Sequence, residues 1–306
     1  MQARIQLLST GSQDEKICTV AEEILTDISV AFNHSFTLMR EKIGQSSIDA
    51  YNTPLTEETV SACADSDAAI VCRADCAGQD DLLSSLRIPC RMRIFPAGDK
   101  RCYLIKTMAL DAQTLSDAMQ IAFETAKKEE LPLRYVLPSG KSALEFKLSI
   151  TSRLPYFPDV AVEEMSPAQA AEFFVLSPES NGVFVFPPYA GGIFFAENTA
   201  LQEIPMYIYE RCEGNCGYVY SPMIPPSIGR NDEVNPSGIC LAISDLLRYA
   251  LKLEKEADCV ESAIRNVLEA GWRTPDMSDQ PGTISTMKML QLISEQITLA
   301  GQLMQS

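Results

Sequence analysis

Short apolar runs alternate with amphipathic segments in the first part of the chain, and this alternation constrains the fold most strongly. The run IQLL near the N-terminus precedes a segment at 14–32 whose apolar residues recur at helical spacing, and a second short run follows at 36–39. A short helix is predicted at 57–64, and Ala68–Cys72 is typical of a strand buried on both faces. This order predicts an α/β fold with a largely parallel sheet.

The rest of the chain changes character twice. Two strands are predicted at 92–96 and 102–106 around a turn at 97–99, and an amphipathic helix is predicted over 110–130. Residues 131–226 are rich in proline, phenylalanine and tyrosine. Helical periodicity then returns and predicts three closing helices. The first begins at Pro236, the second covers 257–270 and the third covers 284–304.

Composition excludes several classes of protein. The chain has 306 residues, 46% of them hydrophobic, which is enough for a sizeable core and about two domains. No apolar run is long enough to span a membrane, and the N-terminal residues become polar too soon for a signal peptide, so we expect a soluble, cytoplasmic protein without a membrane partner. The net charge of −16 repels phosphate backbones and argues against nucleic acid as a partner.

The ten cysteines are spread over a chain that can form its own core, so we predict that most are buried free thiols. Two CxxxC pairs, Cys72 with Cys76 and Cys212 with Cys216, leave a zinc site of four thiolates open, although CxxC spacing is more usual. The single histidine, His34, lies in a polar stretch and is predicted to be a solvated surface residue. With one histidine, the sequence therefore argues against catalysis by a serine–histidine pair.

Two separate stretches carry a family resemblance. Residues 43–68, IGQSSIDAYNTPLTEETVSACADSDA, resemble the pattern G-x-x-A-I-D-A-x-G-T-P-L-P-E-E-T followed by a strand. Residues 235–274 contain, in the same order as the family's closing helices, the segments NP, LRY, EAD, VLEAG and RT. The chain is similar to the isopropylmalate/isocitrate dehydrogenase family of β-decarboxylating enzymes, above all to its 3-isopropylmalate dehydrogenase branch, as a shortened and degenerate member.

The resemblance implies a fold of two α/β domains that share a large mixed sheet flanked by helices. The first domain, on the cofactor side, would contain residues 1–96 and 204–306. The second and smaller domain, on the dimerisation side, would contain residues 97–203 and lack the family's arm, since about forty residues are missing beside the loosely aligned middle. Family members are dimers whose active sites borrow residues from the partner, which implies a homodimer or pairing with a related dehydrogenase.

The family's reaction oxidises a 2-hydroxy acid with NAD and needs Mg²⁺ or Mn²⁺, held by three aspartates. Residues 158–161, PDVA, resemble the family's Y-P-D-V, and this anchor places the partner-chain aspartate at Ala168. It also aligns G-D-I-L-S-D with residues 191–196, GGIFFA, so all three carboxylates are lost and no metal ligand is assigned. Glu172 and Glu197 lie nearby, but each is displaced along its segment.

The cofactor motifs are also altered. Residues 224–230, IPPSIGR, stand where the family has H-G-S-A-P-D-I-A-G-K, and residues 11–16, GSQDEK, stand where it has G-D-G-I-G-P-E. The hairpin with the family's catalytic tyrosine lies in the missing segment. Asn235 is the cofactor-binding candidate that the resemblance retains.

Several cations match functional positions of the family. Lys141, in PSGKS, corresponds to the D-K-A-N lysine that acts as base or proton relay, and here it is vestigial. Arg87 and Arg91 resemble the arginines that grip the substrate, while Lys106 replaces a third. Together they could bind a small carboxylate, with lysine as a point charge in place of a bidentate fork. The alternative is that they are ordinary surface cations.

Two functions remain open from the sequence. The first is a degenerate, catalytically inactive protein that needs no cofactor and binds a small carboxylate or acts as a regulatory or structural partner. The alternative is a diverged oxidoreductase that uses NAD and Mg²⁺ or Mn²⁺ on a 3-isopropylmalate-like 2-hydroxy acid. Unrelated chemistry at the CxxxC pairs would require those cysteines to converge in space.

Overall fold

The computed structural model describes the chain except for residues 12–13, 98–99, 179, 203–206, 215–216, 225–233, 278–281 and 306. The strands are β1 Gln2–Ser9, β2 Ser35–Lys42, β3 Ala68–Val71, β4 Cys90–Ala97, β5 Lys100–Thr107, β6 Leu133–Val136, β7 Val162–Met165, β8 Gly182–Phe186, β9 Tyr209–Gly214 and β10 Gly217–Pro222. The helices are α1 Glu15–Ala31, α2 Gln45–Tyr51, α3 Glu57–Ala64, α4 Gln79–Ser85, α5 Ala112–Lys128, α6 Ser142–Thr151, α7 Pro167–Leu176, α8 Pro188–Leu201, α9 Ser237–Asp245, α10 Glu254–Glu269 and α11 Thr286–Gln305. A π-helical turn, Leu246–Ala250, continues α9.

The strands form one mixed sheet in the order β2-β1-β3-β10-β9-β4-β5-β8-β6-β7. Strand β1 is parallel to both β2 and β3, and β6 is parallel to both β7 and β8. The strands of the β4–β5 hairpin instead pair antiparallel along their whole length. A large mixed sheet flanked by helices confirms the predicted fold class.

The chain divides into two compact units. The end unit contains residues 1–86, 209–211 and 216–306, and the middle unit contains residues 87–208 and 212–215. The predicted division, 1–96 with 204–306 against 97–203, differs at its first boundary, which would separate β4 from β5 despite their full pairing. The assignment of a cofactor side and a dimerisation side to the two domains stays a prediction.

Packing of helices on the sheet builds the core of the end unit. Helix α1 buries one apolar face, as its helical spacing predicted, and it packs against α11. At this crossing a Cβ atom on Gly301 would lie 2.6 Å from the Cβ of Ala31, so only glycine allows the helices to approach this closely. Helix α3 has the predicted bounds because the Thr56 hydroxyl accepts a hydrogen bond from the Thr59 amide and caps it.

The prediction for His34 is wrong. Its side chain is only 10% exposed, and its Nε2 lies 2.7 Å from Oε1 of Glu256 on α10. The imidazole also stacks on the rings of Phe32 and Phe36. The local sequence is polar, but the contact with Glu256 joins residues 222 positions apart, so the local sequence does not reveal it.

The prediction of free thiols is wrong for two cysteines. Cys18 of α1 and Cys72, which follows β3, form a disulfide, so Cys72 does not pair with Cys76 at a metal site. Cys216 lies outside the described residues, so the second CxxxC pair stays a prediction. The prediction of buried free thiols is confirmed for four described cysteines, namely Cys63, Cys102, Cys240 and Cys259.

Within the described ranges, no helix combines the length and the apolar character that crossing a membrane requires.

Candidate functional site

The first candidate region is the carboxyl edge of the sheet in the end unit. Strands β1 and β3 are parallel neighbours, so Thr10 and Arg73, which follow them, emerge at the same edge. Asp14 lies there too, immediately before α1. Open α/β sheets bind ligands at the carboxyl ends of their strands. This edge is therefore the first place to test for a cofactor site.

An ion pair occupies this edge. Arg73 donates from Nη2 to Oδ1 of Asp14 at 2.7 Å and from Nε to Oδ1 and Oδ2 at 3.0 and 3.1 Å. The hydroxyl of Thr10 donates to Oδ2 of the same carboxylate. Arg73 also donates from Nη1 to the carbonyl oxygen of Ile224 at 3.2 Å. The side chains at this edge thus satisfy one another.

These residues do not fit an anionic dinucleotide. A pyrophosphate binds at a helix N-terminus through free backbone N–H groups and the positive end of the helix dipole. Here the carboxylate of Asp14 stands directly before the first turn of α1 and would repel a phosphate. The two segments matched to the family's cofactor loops are described only at Gly11, at 14–16 and at Ile224, and the rest lies outside the described residues.

Asn235 makes hydrogen bonds to other residues of the protein. Its side-chain Oδ1 accepts a hydrogen bond from the backbone amide of Ser237 at 2.8 Å, at the start of α9. The backbone amide of Asn235 donates to Oδ2 of Asp276 at 2.8 Å. Its Nδ2 donates to the sulfur of Met277, and the residue is buried. Asn235 thus has a structural role, because its backbone and side chain together join α9 to the segment after α10. Its role in cofactor binding stays a prediction.

The second candidate region is a cationic face in the middle unit. Arg91 of β4 and Lys106 of β5 are direct partners across the hairpin, so their side chains lie on the same face of the sheet. Arg93 shares this face because it is two residues beyond Arg91 on the strand. Both arginines are only 3% exposed, while Lys106 is half-buried. The sequence prediction missed Arg93, although strand alternation from Arg91 would have found it.

Helix α8 packs on this cationic face. The guanidinium of Arg93 lies 4.5 Å from the centre of the Phe195 ring, and Nζ of Lys106 lies 5.9 Å from it. Arg93 also donates to the Phe195 carbonyl at 3.4 Å and to Oγ1 of Thr199 at 3.1 Å. A Cβ atom on Gly191 would lie 2.7 Å from Cβ of Lys106, so this glycine admits the lysine stem. The face is covered mainly by residues of the protein itself.

The other two predicted cations lie on separate segments. Arg87 is exposed and has a φ of 53°, the left-handed conformation of a residue that ends a helix, here α4. Lys141 is exposed immediately before α6. The structure therefore brings together Arg91 and Lys106 from the predicted set. The functional roles of all four cations stay predictions.

The outer face of α8 has no acidic side chain at the positions matched to the family's metal motif. Gly192 and Ala196 are exposed there, beside the exposed Tyr189 and Ile193, while Glu197 is half-buried. On α7, Ala168 and Glu172 are both exposed. The described part of the chain holds no group of three histidine, cysteine, aspartate or glutamate residues arranged to bind a metal. Because Mg²⁺ requires oxygen ligands, usually carboxylates, these residues do not fit it.

Comparison with solved structures supports the fold. An isocitrate dehydrogenase from Methylococcus capsulatus superposes with a TM-score of 0.82 at 15% identity, covering 97% of this chain and 99% of that one. A β-decarboxylating dehydrogenase from Thermococcus kodakarensis superposes with a TM-score of 0.80 at 17% identity, covering 96% of each chain. At these identities the likeness concerns the fold alone.

Sequence comparison identifies the family. A 3-isopropylmalate dehydrogenase of Oleidesulfovibrio alaskensis is 24% identical over 358 aligned positions, covering 97% of this chain and all of the relative. One from Geobacillus kaustophilus is 25% identical, covering 95% of this chain and 94% of the relative. The first alignment is longer than this chain, so the relative has segments without a counterpart here. The profile described as Isocitrate/isopropylmalate dehydrogenase matches residues 97–293, more than half of the sequence, and the chain therefore belongs to the isocitrate/isopropylmalate dehydrogenase family.

Proposed function

We propose that this chain is a non-catalytic member of its family, which keeps the fold without the metal-dependent oxidation. The observation that carries the proposal is the outer face of α8, where Gly192 and Ala196 stand at the two positions matched to metal-binding aspartates. Decarboxylation of a β-keto acid needs a cation to polarise the oxygen. The exposed glycine, alanine, tyrosine and isoleucine of this face offer no carboxylate to such a cation.

The carboxyl edge of the end unit supports the same proposal. Arg73 and Asp14 bind each other at the strand ends, so a dinucleotide would have to break that pair and also overcome the negative charge of Asp14. On this reading the protein requires neither NAD nor Mg²⁺. The metal positions in the middle unit and the cofactor edge in the end unit are both altered. A single error of alignment does not explain both differences.

The first test is a thermal-shift and turnover screen. A ligand that binds only the folded state raises the unfolding midpoint by mass action. We expect no shift with NAD, NADP or Mn²⁺, and no reduction of NAD when 3-isopropylmalate or isocitrate is added. Reduction of NAD that depends on Mn²⁺ would overturn the proposal.

A gain-of-binding variant sharpens the test. Positions 192 and 196 are four residues apart on α8, so Gly192→Asp with Ala196→Asp puts two carboxylates on one exposed face. A Cβ atom at Gly192 has no neighbour within 4 Å, which leaves room for the new side chain. We expect the double variant to bind Mn²⁺ more tightly than wild type by calorimetry. Gly192→Asn with Ala196→Asn is the isosteric control without charge.

We further propose that the cationic face binds a small carboxylate. Arg91 and Lys106 lie side by side, and Lys106 is half-buried and so accessible to an anion. We expect a thermal shift with citrate or 3-isopropylmalate that Lys106→Gln removes. Lys141→Gln, at an exposed lysine on another segment, is the matched control. Equal shifts in both variants would contradict binding at this face.

We also propose a cytoplasmic protein that works as one subunit of an assembly, either a homodimer or a pair with a related dehydrogenase. Among the described residues of the middle unit, eight large apolar side chains are exposed, namely Leu144, Leu148, Leu154, Tyr156, Val175, Leu176, Tyr189 and Ile193. Four of them lie on α7 and α8, which contact each other, and exposed apolar side chains on neighbouring helices are typical of a surface that another chain covers.

Light scattering on the purified protein tests the homodimer, and co-purification with a related dehydrogenase tests the mixed pair. We expect Ile193→Glu, on α8, to weaken either assembly because it places a charge on the apolar surface. Val30→Glu is the control, since Val30 is also exposed but lies in the end unit. A monomer that binds no related dehydrogenase would contradict the proposal.

The alternative is a diverged dehydrogenase that uses NAD and Mg²⁺ or Mn²⁺ on a 3-isopropylmalate-like acid. The half-buried Glu197, next to Ala196 on α8, is the observation that favours it, because a carboxylate there is close in sequence to a lost ligand. Under this alternative Glu197→Gln abolishes Mn²⁺-dependent turnover, whereas the exposed Glu172→Gln has a smaller effect. Absence of turnover in wild type removes the alternative.

A further inference from the structure

The disulfide and the ion pair of the end unit join the same two segments of the chain. Cys18 lies on α1 one turn after Asp14, and Cys72 directly precedes Arg73 after β3. The bridged cysteines are 54 residues apart, and their Cα atoms are separated by 5.8 Å. A covalent and an ionic link therefore hold the start of α1 against the end of β3, at the carboxyl edge of the sheet.

Burial makes the bridge responsive to local opening. Both cysteines are almost completely inaccessible, so an external thiol reaches a sulfur only after the first turns of α1 separate from β3. Asp14 makes no capping hydrogen bond to α1, because its carboxylate is engaged by Arg73 and Thr10. The ion pair and the disulfide therefore add to the apolar packing that holds the start of α1 in place.

Four other thiols of the described residues are poor competitors for an oxidant. Burial raises the pKa of Cys63, Cys102 and Cys240 from 9.0 to about 12, and that of Cys259 to about 11. Because the thiolate is the reactive form, these four residues react slowly at neutral pH. These four thiols therefore do not compete effectively with Cys18 and Cys72 for an oxidant.

We propose that Cys18 and Cys72 form a reversible thiol–disulfide switch that locks and unlocks the carboxyl edge of the end unit. In the locking step the two thiols lose two electrons and two protons and form one S–S bond. A small-molecule disulfide supplies the oxidation, since its own S–S bond breaks and it leaves as two thiols. In the bridged state Arg73 stays on Asp14, and in the reduced state the start of α1 is free to move away from β3.

Peptide mapping and hydrogen exchange on the full chain test the switch. After treatment with glutathione disulfide, mapping without reduction is expected to find one linked pair of peptides containing Cys18 and Cys72. Reduction is expected to speed amide exchange at 14–20 and 72–78 about tenfold, with α11 unchanged. A linkage of Cys72 to another cysteine, or equal exchange in both redox states, overturns the proposal.

A variant of the ion pair tests the coupling between the two links. Asp14→Asn removes the charge that holds Arg73, so dithiothreitol is expected to reduce the bridge about fivefold faster than in wild type. Glu23→Gln is the matched control, since Glu23 is an exposed acidic residue of the same helix. If Asp14→Asn is reduced at the wild-type rate, the ion pair and the bridge do not act together, and the proposed lock is wrong.

Discussion

Two arginine–aspartate pairs of the end unit differ in how deeply their side chains are buried. Arg211 and Asp245 are 2.9 Å apart with each side chain 1% exposed, and the guanidinium lies 3.8 Å from the ring centre of Tyr249. Tyr209 donates to the same carboxylate at 3.1 Å. The pair of Arg73 and Asp14 is 2.7 Å apart, but its side chains are 25% and 7% exposed.

The difference separates a charge pair in the core from one at the carboxyl edge of the sheet. The deep pair joins β9 to the last residue of α9, in a network of tyrosines, where neither partner has access to water. The shallow pair stands where related folds bind ligands, and its arginine keeps part of its surface in water. Loss of a partner should therefore cost much more in the core than at the edge.

Breaking the deep pair is expected to have the largest effect. Asp245→Asn leaves the Arg211 charge without its carboxylate in the core, and we expect the free energy of unfolding to fall by about 3–5 kcal/mol. Urea denaturation measures the change. Arg211→Met combined with Asp245→Asn is the control, because removal of both charges should recover much of the loss. A single variant as stable as wild type would contradict the assignment.

Buried thiols, which are neutral in the folded protein, make its stability depend on pH in the alkaline range. Burial raises the pKa of Cys102 and Cys240 from 9.0 to about 12, so between these values the unfolded chain loses the thiol protons while the folded chain keeps them. The unfolded state then binds fewer protons, and stability falls as pH rises. We expect a loss of about 1.4 kcal/mol for each thiol at pH 10.

Denaturation at pH 8 and pH 10 measures that loss, and Cys102→Ala provides the comparison. The variant lacks one of the titrating thiols, so its stability should depend less on pH than that of wild type. Identical pH dependence in the two proteins would contradict the raised pKa of Cys102.

Breaking the shallow pair is expected to cost less. Asp14→Asn removes the charge beside Arg73, but the guanidinium is partly exposed and can be solvated, so we expect a loss of about 1–2 kcal/mol. Thermal unfolding of the reduced protein measures the ion pair without the disulfide. A loss as large as that of Asp245→Asn would mean that both pairs are equally structural.

A cluster in which two of the three acids are largely exposed gives the smallest expected effect. Arg248 lies within 3.1 Å of carboxylate oxygens of Glu254, Asp258 and Glu261, but two of these three acids are more than half exposed. Surface ion pairs contribute little because solvent screens them. We expect Arg248→Gln to lower stability by less than about 1 kcal/mol, and addition of salt to reduce the difference from wild type.

Periodicity predicted the elements of this fold well and its long-range pairings poorly. The helix at 57–64 has the predicted bounds because its apolar spacing and its cap are both local. Similarly, the local sequence at 92–96 and 102–106 predicted the strands that the structure shows as β4 and β5. By contrast, the partners of His34 and Cys18 lie far away in sequence and come close only through the packing of helices on the sheet.

The candidate site shows the same limit. The resemblance placed Arg91 and Lys106 in one cluster, and the hairpin brings them together. It had no means to find Arg73, since the relevant neighbour, Asp14, belongs to another segment of the chain. Nor could it foresee that Phe195 would cover Arg93, because ring stacking depends on the rotation of α8 about its axis.

The discontinuous end unit has a consequence for synthesis on the ribosome. The middle unit is almost contiguous, from 87 to 208, whereas the end unit needs 1–86 and 216–306 together. Domains tend to fold as units while the chain is being made, in the order in which they emerge. Helix α1 must therefore wait for α11, its close neighbour at Gly301, while the middle unit matures first. The nascent end unit thus exposes its apolar α1 face longest and has the greater need of a chaperone.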